Sequence, residues 1–376
     1  MKRELERVDV HGEHDARQRA WSVVAAAFSE RKPVSRPSHW PRVAAVAIAS
    51  SVVVAAALSS PGRAVLDEIR EVVGVERAQP ALFSLPAPGT LLVASDAGVW
   101  VVHEDGSRRL LGDYREATWS PFGRFVAAAG ENELVALEPD GEIRWTLSRP
   151  GVRSPRWAGS ETDTRIAYVD RTGIRVVAGD GTRDRLVVPD APGPLAWRPG
   201  GGFALASVLR NGNIALVEAD SGRVIWRARP PGAVSDLEWT SDGRQLAARL
   251  RSSPMDDVVI YRHGGMPFSG IRVPAGTVTA AAARPGSHGR AVAIREGGHS
   301  RLSLTDARSA LLSGPGHFED VIWSPDGRWL LVTWPAADQW VFIRAAEPRR
   351  IRAVSNIAKQ FRSASFPRVE GWYCAP

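Results

Sequence analysis

The chain has one cysteine, Cys374, among 376 residues, which excludes an internal disulfide framework and any cysteine-rich zinc site. Lysine is nearly missing: 3 of the 48 basic residues are lysine and the other 45 are arginine. These arginines are spread along the chain without forming a block, a pattern of genome composition rather than of a nucleic-acid surface, so no nucleic-acid partner is expected. Common catalytic motifs are absent as well. No Gly-x-Ser-x-Gly elbow, no His-Glu-x-x-His and no Gly-x-x-x-x-Gly-Lys-Ser/Thr loop occurs, which removes the usual carriers of serine hydrolysis, zinc proteolysis and P-loop chemistry. Long apolar runs are lacking except for residues 43–59.

Tryptophan, by contrast, is abundant, with 14 copies. Several stand in a recurring frame, clearest at Trp323-Ser324-Pro325-Asp326-Gly327-Arg328. Ser-Pro-Asp-Gly suits a type I turn, with Pro pre-set for the second position and Gly at the fourth. β-Rich runs flank it, so the unit predicts a hairpin. Related frames begin at Trp119, Trp157, Trp197, Trp239 and Ala283, at successive spacings of 38, 40, 42, 44 and 40 residues. A hairpin every 40 residues or so predicts the blades of a β-propeller. A second series of turns at Asp105-Gly106, Asp140-Gly141, Asp180-Gly181, residues 220–222, Gly264-Gly265, Asp306-Ala307 and near Ala346-Glu347 raises the count to seven blades. The first tryptophan of the series is missing at the front and reappears as Trp372. The C-terminal strand is therefore expected to complete the first blade and close the ring, which removes exposed sheet edges.

The Trp-Ser-Pro-Asp-Gly-Arg frame resembles the WD40-like repeat of TolB-type propellers over residues 82–376, well in three units and loosely in the rest. Trp145 and Trp226, each a few residues after a glycine turn, are also similar to quinoprotein-type propeller repeats. The resemblance implies an all-β, seven-bladed propeller and transfers no catalytic residue, since fold does not dictate function.

Residues 1–89 read differently. The expected domains are a segment 1–42 with an amphipathic helix at about 13–30, a transmembrane helix at 43–59, a juxtamembrane amphipathic helix and linker at 60–89, and the propeller at 90–376. Ala20, Val23, Val24, Ala27 and Phe28 fall on one helical face with Trp21 at its border. The run 43–59 sits at the short end of what spans a bilayer. Arg31, Lys32, Arg36 and Arg42 precede it, which places the N-terminus inside and the propeller outside the cytoplasmic membrane. A cleaved signal peptide competes with this reading, but 42 residues are a long n-region and favour an uncleaved anchor.

The repeat tryptophans recur at a fixed strand position, as packing between neighbouring sheets requires, and each could bury roughly 150–250 Å². They are assigned to the core. The less regular Trp100, Trp334 and Trp340 are then the candidates for a ligand face, and Trp21, Val24 and Phe28 for a partner-binding helix face. His11 and His14 with Asp9 and Asp15, and the Asp256-Asp257 pair, are too sparse to define a metal site. No metal or cofactor is expected. The functional expectation is a membrane-anchored, non-enzymatic binding or sensing module for an envelope polymer, peptide or protein. Two alternatives stay open: a signalling regulator, similar in layout to bacterial membrane-bound anti-sigma factors, whose cytoplasmic helix binds a transcription factor, and a propeller hydrolase or lyase with an unrecognised site.

Overall fold

The computed structural model describes residues 84–373 apart from 201, 252–256, 272–275, 288, 306–309 and 347–349. The expected cytoplasmic helix with Trp21, Val24 and Phe28, the transmembrane run 43–59, most of the linker and Cys374 lie outside the described residues. Among the described residues no helix is long and apolar enough to cross a membrane. Among the described residues helix is limited to the single turn Ile357–Gln360 and two 3-10 turns.

Seven four-stranded antiparallel sheets make up the rest. Numbered along the chain, blade 2 covers residues 116–148, blade 3 153–189, blade 4 195–228, blade 5 234–271, blade 6 277–315 and blade 7 321–355. Each of these runs from an inner strand to an outer one in simple order. Blade 1 is the exception. Its inner strand is Arg368–Tyr373, from the end of the chain, and Thr90–Ser95, Gly98–Val102 and Arg108–Gly112 follow outward. Leu91 pairs with Trp372 and Thr90 with Tyr373, so the expected closure and the displaced tryptophan are both found.

The turn chemistry read in the sequence is what joins the inner pair of strands. Gly327 donates its N–H to the Ser324 carbonyl at 2.8 Å, and Gly243 does the same to Thr240 at 2.8 Å. The side chains then bracket each turn. Ser324 Oγ donates to Asp326 Oδ1 at 2.5 Å and accepts from Trp329 N at 2.9 Å. Thr240 repeats this with Asp242 and Gln245, at 2.6 and 3.1 Å. Glycine is required at the fourth position because φ is +65° at Gly243, and a Cβ there would stand 2.3 Å from the Pro199 carbonyl oxygen of the blade before.

The described residues share no single core. Among the described residues seven buried apolar clusters form, and each fills the gap between two adjacent sheets. The gap between blades 7 and 1 holds Leu91, Val93, Leu331, Trp340, Phe342 and Trp372. This follows from strand alternation: the sheets stand radially, so both faces of the middle strands are covered and read as continuous apolar runs such as Val126–Ala129 and Gly98–Val102.

The ring therefore depends on its last strand. Deleting residues 363–376 removes Trp372 from the gap between blades 7 and 1 and bares the edge of Thr90–Ser95. We expect aggregation and loss of a cooperative melting transition, measured by light scattering and calorimetry. A truncated protein that stays monomeric with an unchanged melting curve would refute the closure as the stabilising device.

Candidate functional site: paired aromatic clefts on one face

Strand direction gives the propeller two unlike faces. The turns from inner to second strand and from third to outer strand open on one side, here called the hairpin face. The turns from second to third strand and the blade-to-blade connections open on the other. The described chain enters on the hairpin face, where Leu85 N–H donates to the Glu104 carbonyl at 2.8 Å.

Repeat tryptophans end the inner strands at this face and join the blades. Trp197 Nε1 donates to the Arg156 carbonyl at 2.8 Å, Trp239 Nε1 to Ala196 at 3.3 Å, and Trp323 Nε1 to Ala282 at 3.2 Å. In each case the acceptor is the residue just before the equivalent position of the preceding blade. Arginine reaches the opposite way in the two frames where Arg-Pro-Gly replaces the serine turn. Arg198 Nε donates to the Gly243 carbonyl at 2.9 Å and Arg284 Nε to Gly327 at 3.0 Å, with guanidinium carbons 5.8 and 5.1 Å from the Trp239 and Trp323 ring centroids.

Two clefts open beside these joints. The larger, about 630 Å³, lies between blades 4 and 5 and is lined by Ile225, Trp226 and Trp239 below a rim of Arg198, Arg244, Arg262 and His263. The smaller, about 460 Å³, lies between blades 3 and 4 against Trp157, Trp197 and Phe203, and Arg198 lines it too. Among the described residues no carboxylate lines either one. Met266 and Phe268, on the same blade as Arg262, are 71% and 51% exposed, and the Arg262 guanidinium lies 3.1 Å from the Phe268 ring centroid.

Around the inner strands carboxylates accompany arginines. Glu370 bulges from the pairing between the inner and second strands of blade 1 and pairs with Arg368 at 3.2 Å, with 12% of its side chain exposed. Burial pushes its carboxyl up to about 7; Glu116 and Asp320 add to the rise, while Arg368 and Arg156 oppose it. Burial likewise raises Glu238 to about 7, against the pull of Arg290, and Asp320 to about 6. The Glu238 side chain is 35% accessible, and its oxygens accept from Ala283 N–H at 2.8 Å and Arg290 Nη1 at 2.9 Å. Glu138, Asp140 and Glu142 cluster on a hairpin of blade 2, where Arg144 pairs with Glu138 at 2.8 Å and Glu142 at 3.3 Å.

Of the three ligand-face candidates read from the sequence, two are buried. Trp340 is 0% and Trp100 6% exposed. Both stand on third strands covered on each side, with the Phe361 ring 5.1 Å from Trp340 and 5.8 Å from Trp100. Trp334 is half-buried, edge-on to Phe318 at 5.5 Å, and donates to the Pro315 carbonyl at 2.8 Å. The tryptophans that line clefts are Trp157, Trp197, Trp226 and Trp239, which the repeat had assigned to packing. They pack and line at once. The available signal was the departure of the blade 4 turn from its repeat, Arg198-Pro199-Gly200, with Gly202 close behind.

No protein-family model matches the chain, and no curated protein matches it. Solved structures do resemble it. The C-terminal WD40 domain of Sif2 gives a TM-score of 0.52 at 14% identity, covering 74% of this chain and 89% of that one. KlHsv2 with loop 6CD replaced by a Gly-Ser linker gives 0.53 at 10% identity, covering 70% and 93%. The β-propeller domain of Cps50 (Swd1) from Myceliophteria thermophila gives 0.50 at 13%, covering 68% and 93%. The fold is thus a WD40-type propeller of seven blades.

The axial carboxylates yield a pH prediction. A folded-state value near 7 for Glu370, against an ordinary 4.5, means that the native state holds a proton the unfolded chain has released. Stability should then fall as pH rises from about 4.5 to 7 and level off above. Glu370→Gln should raise the melting temperature at pH 8 and flatten the decline between pH 5 and 7. Calorimetry across that range tests it; a lower melting temperature for the variant at pH 8 would show that the Arg368 pair outweighs desolvation.

Proposed function

We propose that this protein is a membrane-anchored, extracytoplasmic propeller that acts as a non-enzymatic binding or sensing module and takes a protein partner on its hairpin face. The pair of aromatic clefts that share Arg198 carries the reading. Concave, largely apolar sites with a few convergent polar groups are where proteins hold ligands, and Trp and Arg anchor most interface energy. The WD40-type propeller, a common protein-binding scaffold, supports a protein over a small molecule. Anchoring rests on the uncharged run 43–59, and the outward orientation on Arg31, Lys32, Arg36 and Arg42 before it. The stripe of Ala20, Val23, Val24, Ala27 and Phe28 supports a second role, in which a helix inside the cell passes the state of the propeller to a transcription regulator.

A photoreactive phenylalanine analogue placed at Ile225 in the full chain, in cells, should give a protease-sensitive adduct. Ile225 is 40% exposed at the larger cleft. The same analogue at Arg229, exposed on the opposite face of the same blade, should give none. Adducts from Arg229 alone, or a protease-resistant polymer adduct at Ile225, would overturn the protein-partner reading. A reporter fused after residue 376 should behave as exported; a cytoplasmic signal would reverse the orientation. For the signalling role, Phe28→Asp should abolish any partner contact of the helix, because it drives a carboxylate into an apolar groove.

A further inference from the structure

We infer that the segment recognised on the hairpin face is an extended, acidic stretch of a partner protein carrying two bulky apolar side chains, one for each cleft, with its backbone crossing Arg198. This rests on the hairpin face being the binding face and adds the chemistry of what binds there.

Charge gives the first part. The larger cleft is rimmed by Arg198, Arg244, Arg262 and His263. The Arg244 side chain is 81% exposed and pairs with Asp242 at 3.8 Å. Its planar fork is therefore presented outward and suits a carboxylate taken bidentately. Residues 90–376 hold 36 basic and 31 acidic side chains, a formal charge of +5, which favours encounter with an acidic partner.

Shape gives the second part. The aromatic floor is recessed: Trp226 is only 9% exposed and Trp239 is half-buried, while Ile225 beside them is 40% exposed. A flat bilayer meets the edge and leaves the floor uncovered, whereas a side chain projecting from a peptide fills it. The clefts occupy successive gaps, between blades 3 and 4 and between blades 4 and 5. Sheets pack about 10 Å apart, and an extended chain covers that distance in about three residues. Two anchors about three residues apart, with Asp or Glu around them, match the spacing.

The experiment is selection of a displayed random peptide library on the full chain in detergent. The expected winners carry two bulky apolar residues three or four positions apart and several times the naive content of Asp and Glu. Their binding should weaken at least tenfold in the double variant Arg244→Glu/Arg262→Glu. It should change less than twofold in Arg328→Glu, the same turn position in blade 7, with a side chain 76% exposed. Winners with no acidic enrichment, or indifferent to the double charge reversal but lost on Ile225→Asp, would overturn the acidic inference and leave the hairpin face as the binding face. Winners that survive Ile225→Asp as well, or no winners at all, would remove both. Acidic peptides that appear only when Asp67, Glu68 and Glu71 are changed to lysine would assign the clefts to the chain's own residues 60–83. Phosphatidylglycerol vesicles that displace the peptides, and bind the double variant at least tenfold more weakly, would assign them to lipid.

Discussion

An indole that donates to the backbone of the blade before it is the joint on which the ring turns. Trp197, Trp239 and Trp323 each fill the gap at the inner end of two sheets and each spend their only polar atom on a carbonyl across that gap. A radial sheet cannot bury either face by itself, so every blade is stable only between neighbours, and a side chain that both fills and bonds fixes spacing as well as contact. Truncating a buried aromatic of this size costs about 3–5 kcal/mol, the cost expected at Trp323; Trp197 and Trp239 are half-buried beside the clefts. Trp119, Trp157 and Trp372 carry an Nε1 with no hydrogen-bond partner, so for them packing alone must hold the joint.

Blade 6 shows what happens where the indole is missing. Its frame has Ala283 where the others have tryptophan. An indole there would have faced the backbone just before Trp239, at Glu238. Instead the Glu238 side chain crosses the gap and takes both the Ala283 N–H and the buried Arg290 guanidinium. The apolar cluster of this gap is small, built from Ala247, Val258, Ile260, Val278, Val292 and Ile294. A charged pair substitutes for the ring, and the upward displacement of the Glu238 carboxyl reflects the desolvation that such a pair must offset.

The blade count, the order of strands and the closure at Trp372 were legible because they rest on local chemistry repeated at a fixed period. A Ser-Pro-Asp-Gly turn makes the same bracket wherever it occurs, and the Ser324 and Thr240 turns do so with near-identical distances. Exposure was not legible in the same way. Trp100 and Trp340 look irregular in the sequence but lie on third strands, where coverage comes from residues far along the chain: the Phe361 ring sits against both of them. The clefts were hidden for the converse reason. Trp157, Trp197 and Trp239 obey the repeat, so periodicity assigns them to packing, and nothing local reports that the packing stops short of the surface.

What stops it short is a weakened copy of the repeat. In blades 5 and 7 the inner turn is bracketed by its own Thr240 or Ser324 and the aspartate two residues on. In blade 4 that first position is Arg198, which leaves its own turn to reach Gly243 in the next blade. The turn is left with Gly200 and Gly202, where an added Cβ would meet nothing within 4 Å. Absence of side chain opens the smaller cleft, and the departing arginine becomes the wall between both clefts. A repeat protein is free to lose its consensus wherever a neighbour supplies the joint, and here the Trp239 indole supplies it through Ala196. Specificity can then be written at Gly200 and Gly202, where a side chain would meet nothing, while Trp197, Arg198 and Trp239 keep the bonds that join the blades.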